Sequence, residues 1–245
     1  MSDNTNVITL DKNFMTVLDK AARINPNLKI KPDQDYIITL SRSKSMLMTA
    51  PLAMKLPREV NIYDLKSFLA TTGLINAPVL DLSKDGEIVI SSADSTVRTS
   101  YADSASELIT NYIDIERFPA IADDDVAMEL TIPASVFESV MKSARVRNTS
   151  LIGFASDGTT LSLSSFNKLD SGQEVDKFTV DLGVDDKQTP FSKCYKLEHT
   201  DLDVLKGEGE LTFRISKSKH MSIVTTESGK LLFIVLDTSS TYNNQ

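Results

Sequence analysis

The residues from which a reactive or metal-binding site would have to be built are few: His199, His220, Cys194, the run Asp123-Asp124-Asp125, and the pair Asp201 and Asp203. A zinc site needs three or four Cys, His or carboxylate donors at short spacings. Two histidines on separate segments and one cysteine elsewhere do not supply them. Asp201-x-Asp203 opens like a calcium loop, but Leu205, Lys206 and Thr212 stand where an oxygen ligand, a glycine and a glutamate are required. Asp123-Asp124-Asp125 reads more simply as an acidic solvated loop than as a seat for a hard cation. No GxxxxGK[ST], GxGxxG or GxSxG string occurs. Asp114 and Glu116 are spaced like ordinary surface carboxylates, and Cys194 reads as a small buried apolar residue. The expectation is a chain with no catalytic residues, no metal and no cofactor, hence not an enzyme.

The basic residues are organised differently. In Thr131 through Arg147, Pro133 suits the first turn of a helix, where a missing N–H costs nothing. At 100° per residue Val136, Phe137, Val140, Met141 and Ala144 share one face, and Ser135, Glu138, Lys142 and Arg145 share the other. One amphipathic helix with a basic outer face would mean little, but this one has a second copy. A shift of 122 residues lays Ile8 through Ile24 on Leu130 through Val146 without a gap. Leu10 meets Ile132, Leu18 meets Val140, Lys20 meets Lys142, Ala22 meets Ala144 and Arg23 meets Arg145. Gly86-Glu87-Ile88-Val89-Ile90 and Gly209-Glu210-Leu211-Thr212-Phe213, 123 apart, point to the same repeat.

Two similar halves follow. In the first, strands are expected at 28–31, 36–40, 45–49 and 59–62, a short helix at 63–73, a hairpin of 78–82 with 87–91, and a strand at 96–101. In the second, strands are expected at 150–155, 160–166 and 175–182, a short helix at 198–206, and strands at 210–215, 220–225 and 230–237. Residues 238–245 read as a frayed polar tail. The fold class is α+β. A first domain spans 1–110, an acidic connector 111–127 and a second domain 128–245.

A net charge of −8 argues against tight, contact-driven binding of nucleic acid over the whole surface. Charges further apart than a Debye length of about 8–10 Å are screened from one another, so a cationic face can coexist with an acidic one. The chain has no tryptophan, so a stacking platform for single strands is poorly supplied. No apolar run approaches the roughly 18 residues of a membrane helix, residues 1–6 lack signal-peptide features, and a single cysteine fits a reducing compartment. No membrane association is expected.

Particular strings carry a resemblance. Val60-Asn61-Ile62-Tyr63-Asp64-Leu65-Lys66-Ser67-Phe68-Leu69, Asp85 to Ile90 with Ala93-Asp94-Ser95-Thr96, Phe166-Asn167-Lys168-Leu169, Phe118-Pro119 and the ending Phe233 to Thr241 resemble the DNA polymerase sliding clamp of T-even-type bacteriophages. The resemblance implies the DNA clamp fold, with two β-rich domains of two helices each, and a homotrimer closing into a ring. Such a ring encircles duplex DNA without reading its sequence, is loaded by an ATP-dependent clamp loader and tethers the DNA polymerase as a processivity factor. Support of late transcription is part of the same resemblance. It places the chain in the cytoplasm of an infected bacterial host.

On this reading Lys12, Lys20 and Arg23, Lys66 of the short helix, and Lys142, Arg145 and Arg147 face the DNA. The second short helix departs from the pattern, because Asp201 and Asp203 leave Lys206 as its one basic residue. Segments 96–101 and 175–182 are the candidate subunit edges, with Arg98 and Lys177 as the charges that would otherwise blunt them. Tyr112, Ile113, Phe118, Pro119 and Ile121 are the candidate partner-peptide residues; the same residues could instead pin the connector to the sheets. From another class, tandem β-rich domains with unpaired edges would also suit a non-enzymatic phage structural or assembly protein.

Overall fold

The computed structural model describes residues 6–32, 34–109, 112–184, 189–199 and 201–242. The expected start of the connector, at 110–111, lies outside them, as do the side chain of His199 and the last three residues of the tail. The chain divides into two compact units, 1–117 and 118–245, so the division falls within segment 111–127.

The first unit runs β1 (Val7–Thr9), α1 (Lys12–Ile24), β2 (Leu28–Ile30), β3 (Tyr36–Leu40), β4 (Met46–Pro51), β5 (Val60–Ile62), α2 (Leu65–Gly73), β6 (Pro78–Asp81), β7 (Glu87–Ser92) and β8 (Arg98–Ala102). Asp11 caps α1 by accepting from Phe14 N at 2.6 Å, and Asp64 caps α2 by accepting from Ser67 N at 3.0 Å. Phe14, Leu18 and Ala21 turn inward from α1, which packs on α2, β3 and β4. The turn after α1 fixes the start of α2: Leu65 N donates to Pro26 O at 2.7 Å, and the Asn27 amide donates to Tyr63 O. Strands β1, β6, β7 and β8 form an antiparallel sheet in that order, with β8 on its edge. Strand β2 pairs with β5, and β3 with β4.

The second unit runs β9 (Val126–Pro133), α3 (Ala134–Arg147), β10 (Leu151–Ser156), β11 (Thr160–Lys168), β12 (Glu174–Val184), β13 (Phe191–Lys196), 3-10 turns at Leu197–His199 and Leu202–Leu205, β14 (Glu210–Ser216), β15 (Met221–Thr226), β16 (Leu231–Val235) and β17 (Thr241–Tyr242). Its sheets are β9-β14-β15-β16 and β12-β11-β10-β13-β17, both antiparallel. Pro133 ends β9 and stands just before α3, whose first N–H, on Ala134, donates to Gly209 O at 3.0 Å. Asn148 closes the helix in the left-handed conformation, at φ 53°. Phe213 of β14 meets Phe137 of α3 at 5.4 Å and Phe154 of β10 at 4.8 Å between ring centroids, tying the helix to both sheets.

Apart from α2, whose place is taken by 3-10 turns, and the added β17, the second unit repeats the element order of the first. The sheet β9-β14-β15-β16 has the topology of β1-β6-β7-β8, and α1 and α3 begin 122 residues apart. The spacing then drifts, because β11 and β12 have 9 and 11 residues where β3 and β4 have 5 and 6. By β7 and β15 the offset is 134. Gly86–Ile90 and Gly209–Phe213 are therefore not equivalent: the first string enters β7, whereas the second enters β14, the counterpart of β6. Their likeness is the alternation shared by half-buried strands.

Two further expectations are corrected. No α-helix forms in the described part of segment 198–206: Leu197–His199 and Leu202–Leu205 are 3-10 turns, and the Asp201 side chain accepts from Asp203 N at 3.1 Å, a local bond that competes with helical ones. The tail is held as far as Tyr242. Asp237 N donates to Cys194 O at 2.6 Å, Ser240 is buried, and Thr241–Tyr242 pairs with β13.

Candidate nucleic-acid interface

On α1, Lys12 and Arg23 are exposed on the side opposite Phe14, Leu18 and Ala21. Arg23 donates through Nε and Nη2 to Asp19 Oδ2, both at 3.3 Å. Lys20, expected on the same face, is buried, with 7% of its surface exposed. It stands roughly 80° around the helix from Lys12, on the seam between the two faces. Lys66 is exposed in the first turn of α2, the helix packed against α1.

On α3, Lys142, Arg145 and Arg147 are exposed. Arg145 and Arg147 lie in its last turn, where cations complement the helix dipole. Arg145 is ion-paired with Asp203 of the second 3-10 turn, and Glu138 Oε1 accepts from Gly207 N at 3.0 Å. These contacts draw segment 202–207 along one side of the helix and leave a groove of about 310 Å³ lined by Ser135, Ser139, Lys142, Leu202 and Lys206. Among the described residues no ion pair is found for Lys12, Lys66, Lys142 or Arg147. Each unit therefore presents a helix with a cationic outer face, partly neutralised at one arginine. Both His220 and Cys194 are accounted for without chemistry: His220 is an exposed turn residue, and burial pushes the Cys194 thiol up. Among the described residues no group of three His, Cys, Asp or Glu is placed to hold a metal.

The connector residues separate. In the first unit Tyr112 is half-buried and lies under two ammonium groups, Lys29 Nζ at 5.3 Å and Lys31 Nζ at 4.9 Å from its ring centroid. Lys31 Nζ also donates to Asp114 Oδ1 at 2.8 Å, and that carboxylate holds Lys31 above the usual lysine range. The Tyr112 ring is thus engaged within its own unit, with Ile113 half-buried beside it. In the second unit Ile121 is a core residue, packed with Val126, Met221, Ile223 and Phe233, and is not available to a partner. Phe118 and Pro119 remain half-buried. The aspartates after them do structural work: Asp125 accepts from Ser216 Oγ at 2.6 Å and Ser218 N at 2.9 Å, and Asp123 pairs with Arg214. The burial of Lys20 and the pairing of the two arginines escaped sequence reasoning. The 80° displacement of Lys20 was a usable signal for the first; the chain carries none for the contact between Arg145 and Asp203, 58 residues apart.

The fold is that of the sliding clamps. No protein-family model matches the sequence, and neither does any curated protein. Among solved structures the chain is similar to the Helicobacter pylori β clamp bound to a DNA ligase peptide, with a TM-score of 0.67 at 12% identity over 95% of this chain. It spans 65% of that protein's length. It is also similar to the A. fulgidus PCNA bound to the C-terminal region of FEN-1, with a TM-score of 0.64 at 10% identity over 98% of both chains. A third likeness is to the PCNA2–PCNA3 complex of Sulfolobus tokodaii, with a TM-score of 0.61, 10% identity, and coverage of 94% of this chain and 98% of that one.

Proposed function

We propose that this chain is the protomer of a non-enzymatic DNA sliding clamp of bacteriophage type, a homotrimeric ring that encircles duplex DNA and tethers a DNA polymerase after loading by an ATP-driven clamp loader in the cytoplasm of an infected bacterium. Support of late transcription belongs to the same proposal. The observation that carries the reading is the duplication: two units of one topology, each presenting a cationic helix face, in a chain of net charge −8. A ring that holds DNA by topology needs only weak, exchangeable phosphate contacts, and Lys12, Lys66, Lys142 and Arg147 are suited to make them. Three copies carry −24, three times −8, so the surface away from these helices is strongly acidic.

Ring closure would use β8 of one protomer and β12 of the next. Both are edge strands on non-equivalent sheets, so the contact is heterologous and closes by rotation. Partner peptides of the kind bound to the H. pylori clamp and to the A. fulgidus PCNA would meet this chain near Phe118 and Pro119.

Light scattering over a concentration series should give about three times 27.0 kDa. Protein threaded onto a linear duplex whose ends are then blocked should resist a high-salt wash and be released by one internal cut. A strict monomer at micromolar concentration that washes off blocked DNA would refute the reading. A trimer indifferent to duplex DNA would favour the tandem-domain assembly protein instead.

A further inference from the structure

Arg23 and Arg145 occupy the same place in the two repeats, 122 residues apart on the exposed face of α1 and α3, and both are held by a carboxylate. The carboxylates come from different places. Asp19 lies one turn back on α1 itself, at i−4. Its counterpart on α3, 122 residues on, is Met141, a buried residue with no charge to offer. There the partner is Asp203, brought from the 3-10 turn that replaces the second helix. The first unit has Lys66 on the corresponding element. Two routes to one outcome are not explained by folding, since exposed pairs of this kind add little to stability. The four side chains are between 31% and 58% exposed, and the Asp19 contact is long, with both donors on one oxygen. A guanidinium held in this way keeps further N–H donors free and exchanges readily for a phosphate.

We infer that Asp19 and Asp203 are the residues that limit the grip of this chain on DNA, by competing with backbone phosphates for Arg23 and Arg145. The inference rests on the clamp reading. A carboxylate in the same place lowers the arginine's occupancy on phosphate and repels the phosphate itself, so contact is brief and the duplex passes. Arg23 and Arg145 are then adjustable contacts, and Lys12, Lys66, Lys142 and Arg147 are the constant ones.

Asp19→Asn and Asp203→Asn keep shape and remove the charge, and Asp85→Asn removes an equal charge from the exposed β6–β7 turn as a control. Affinity is measured by anisotropy on a labelled 30-base-pair linear duplex of random sequence between 50 and 200 mM salt, with single-molecule diffusion on stretched duplex alongside. Each of the two variants should bind about two- to fivefold tighter than wild type, as freeing an exposed ion pair allows. The slope of log affinity against log salt should steepen by about 0.9 for each arginine gained by phosphate, and diffusion should slow. Asp19→Asn should have no such effect once Arg23 is also changed to Gln. Variants that match Asp85→Asn, while wild type is still retained on end-blocked DNA, would overturn this inference and leave the clamp reading standing. A wild type with neither duplex affinity nor retention would overturn both.

Discussion

Replacing Arg58 by methionine tests how the first unit holds its edge strand. Arg58 donates through Nε to Leu82 O at 2.8 Å, through Nη1 to Glu59 O at 2.9 Å, and through Nη2 to Lys84 O at 3.0 Å and Glu87 O at 2.9 Å. It also pairs with Asp103, just past the end of β8, whose Oδ1 accepts from Asn61 N at 2.8 Å. One guanidinium thus joins β5, the β6–β7 turn and the end of β8. The two side chains are 21% and 7% exposed, so the pair is largely removed from water. Breaking a buried pair by removing one partner costs about 3–5 kcal/mol; the residual exposure of Arg58 puts this case near 3. With a urea m of roughly 1.5–2 kcal/mol per molar, the unfolding midpoint should fall by about 1.5–2 M. Arg58→Met combined with Asp103→Asn should recover part of the loss, with a coupling of about 1–3 kcal/mol. If β8 closes the ring, Arg58→Met should also weaken trimerisation in sedimentation velocity. A loss below about 1 kcal/mol, or strictly additive single effects, would show that the network does not organise this edge.

Two glycines should respond unequally to alanine. A Cβ on Gly153 would stand 2.7 Å from Cys194 Cβ and 2.8 Å from Lys193 O, so β10 and β13 must part, at about 1–3 kcal/mol. A Cβ on Gly209 meets only the flexible end of Glu227, so thermal melting should fall by several degrees for Gly153→Ala and hardly for Gly209→Ala. The hydrogen bond from Ser216, with that from Ser218, holds the Asp125 carboxyl below its ordinary value. A depressed carboxyl gives stability that is present above the unfolded value, about 3.9, and lost as pH falls through the lower native one. Asp125→Asn should therefore cost about 1 kcal/mol or less at pH 7, given its solvent exposure. The gap to wild type in urea titrations should close below about pH 4; a gap unchanged at pH 3 would contradict the assignment.

The duplication was legible because α1 and α3 are amphipathic and begin the same distance into their repeats, before any insertion shifts the register. The sheet strands were legible from alternation, which fixes their existence better than their partners, and so Gly86–Ile90 was matched to the wrong strand. The cationic face was legible as far as a helical wheel allows. Lys20 failed because residues on the seam of a wheel are assigned by packing, not by angle. The contact of Arg145 with Asp203 failed because it depends on a 3-10 turn whose shape comes from local competition by the Asp201 side chain. Ile121 and Tyr112 illustrate a general ambiguity: an apolar connector residue has the same sequence signature whether a partner covers it or its own sheet does.

The unequal lengths of the two edges have a mechanical consequence. Strand β12 has 11 residues and β8 has 5, which at about 3.3 Å per residue is roughly 36 Å of ribbon facing roughly 17 Å. A seam zipped between them can be no longer than the shorter strand, so each joint in a ring would rest on a handful of rungs while half of β12 stays outside it. In the trimeric ring proposed above, a latch so short could be prised apart without unfolding either side, and opening would unzip one joint rather than bend three protomers.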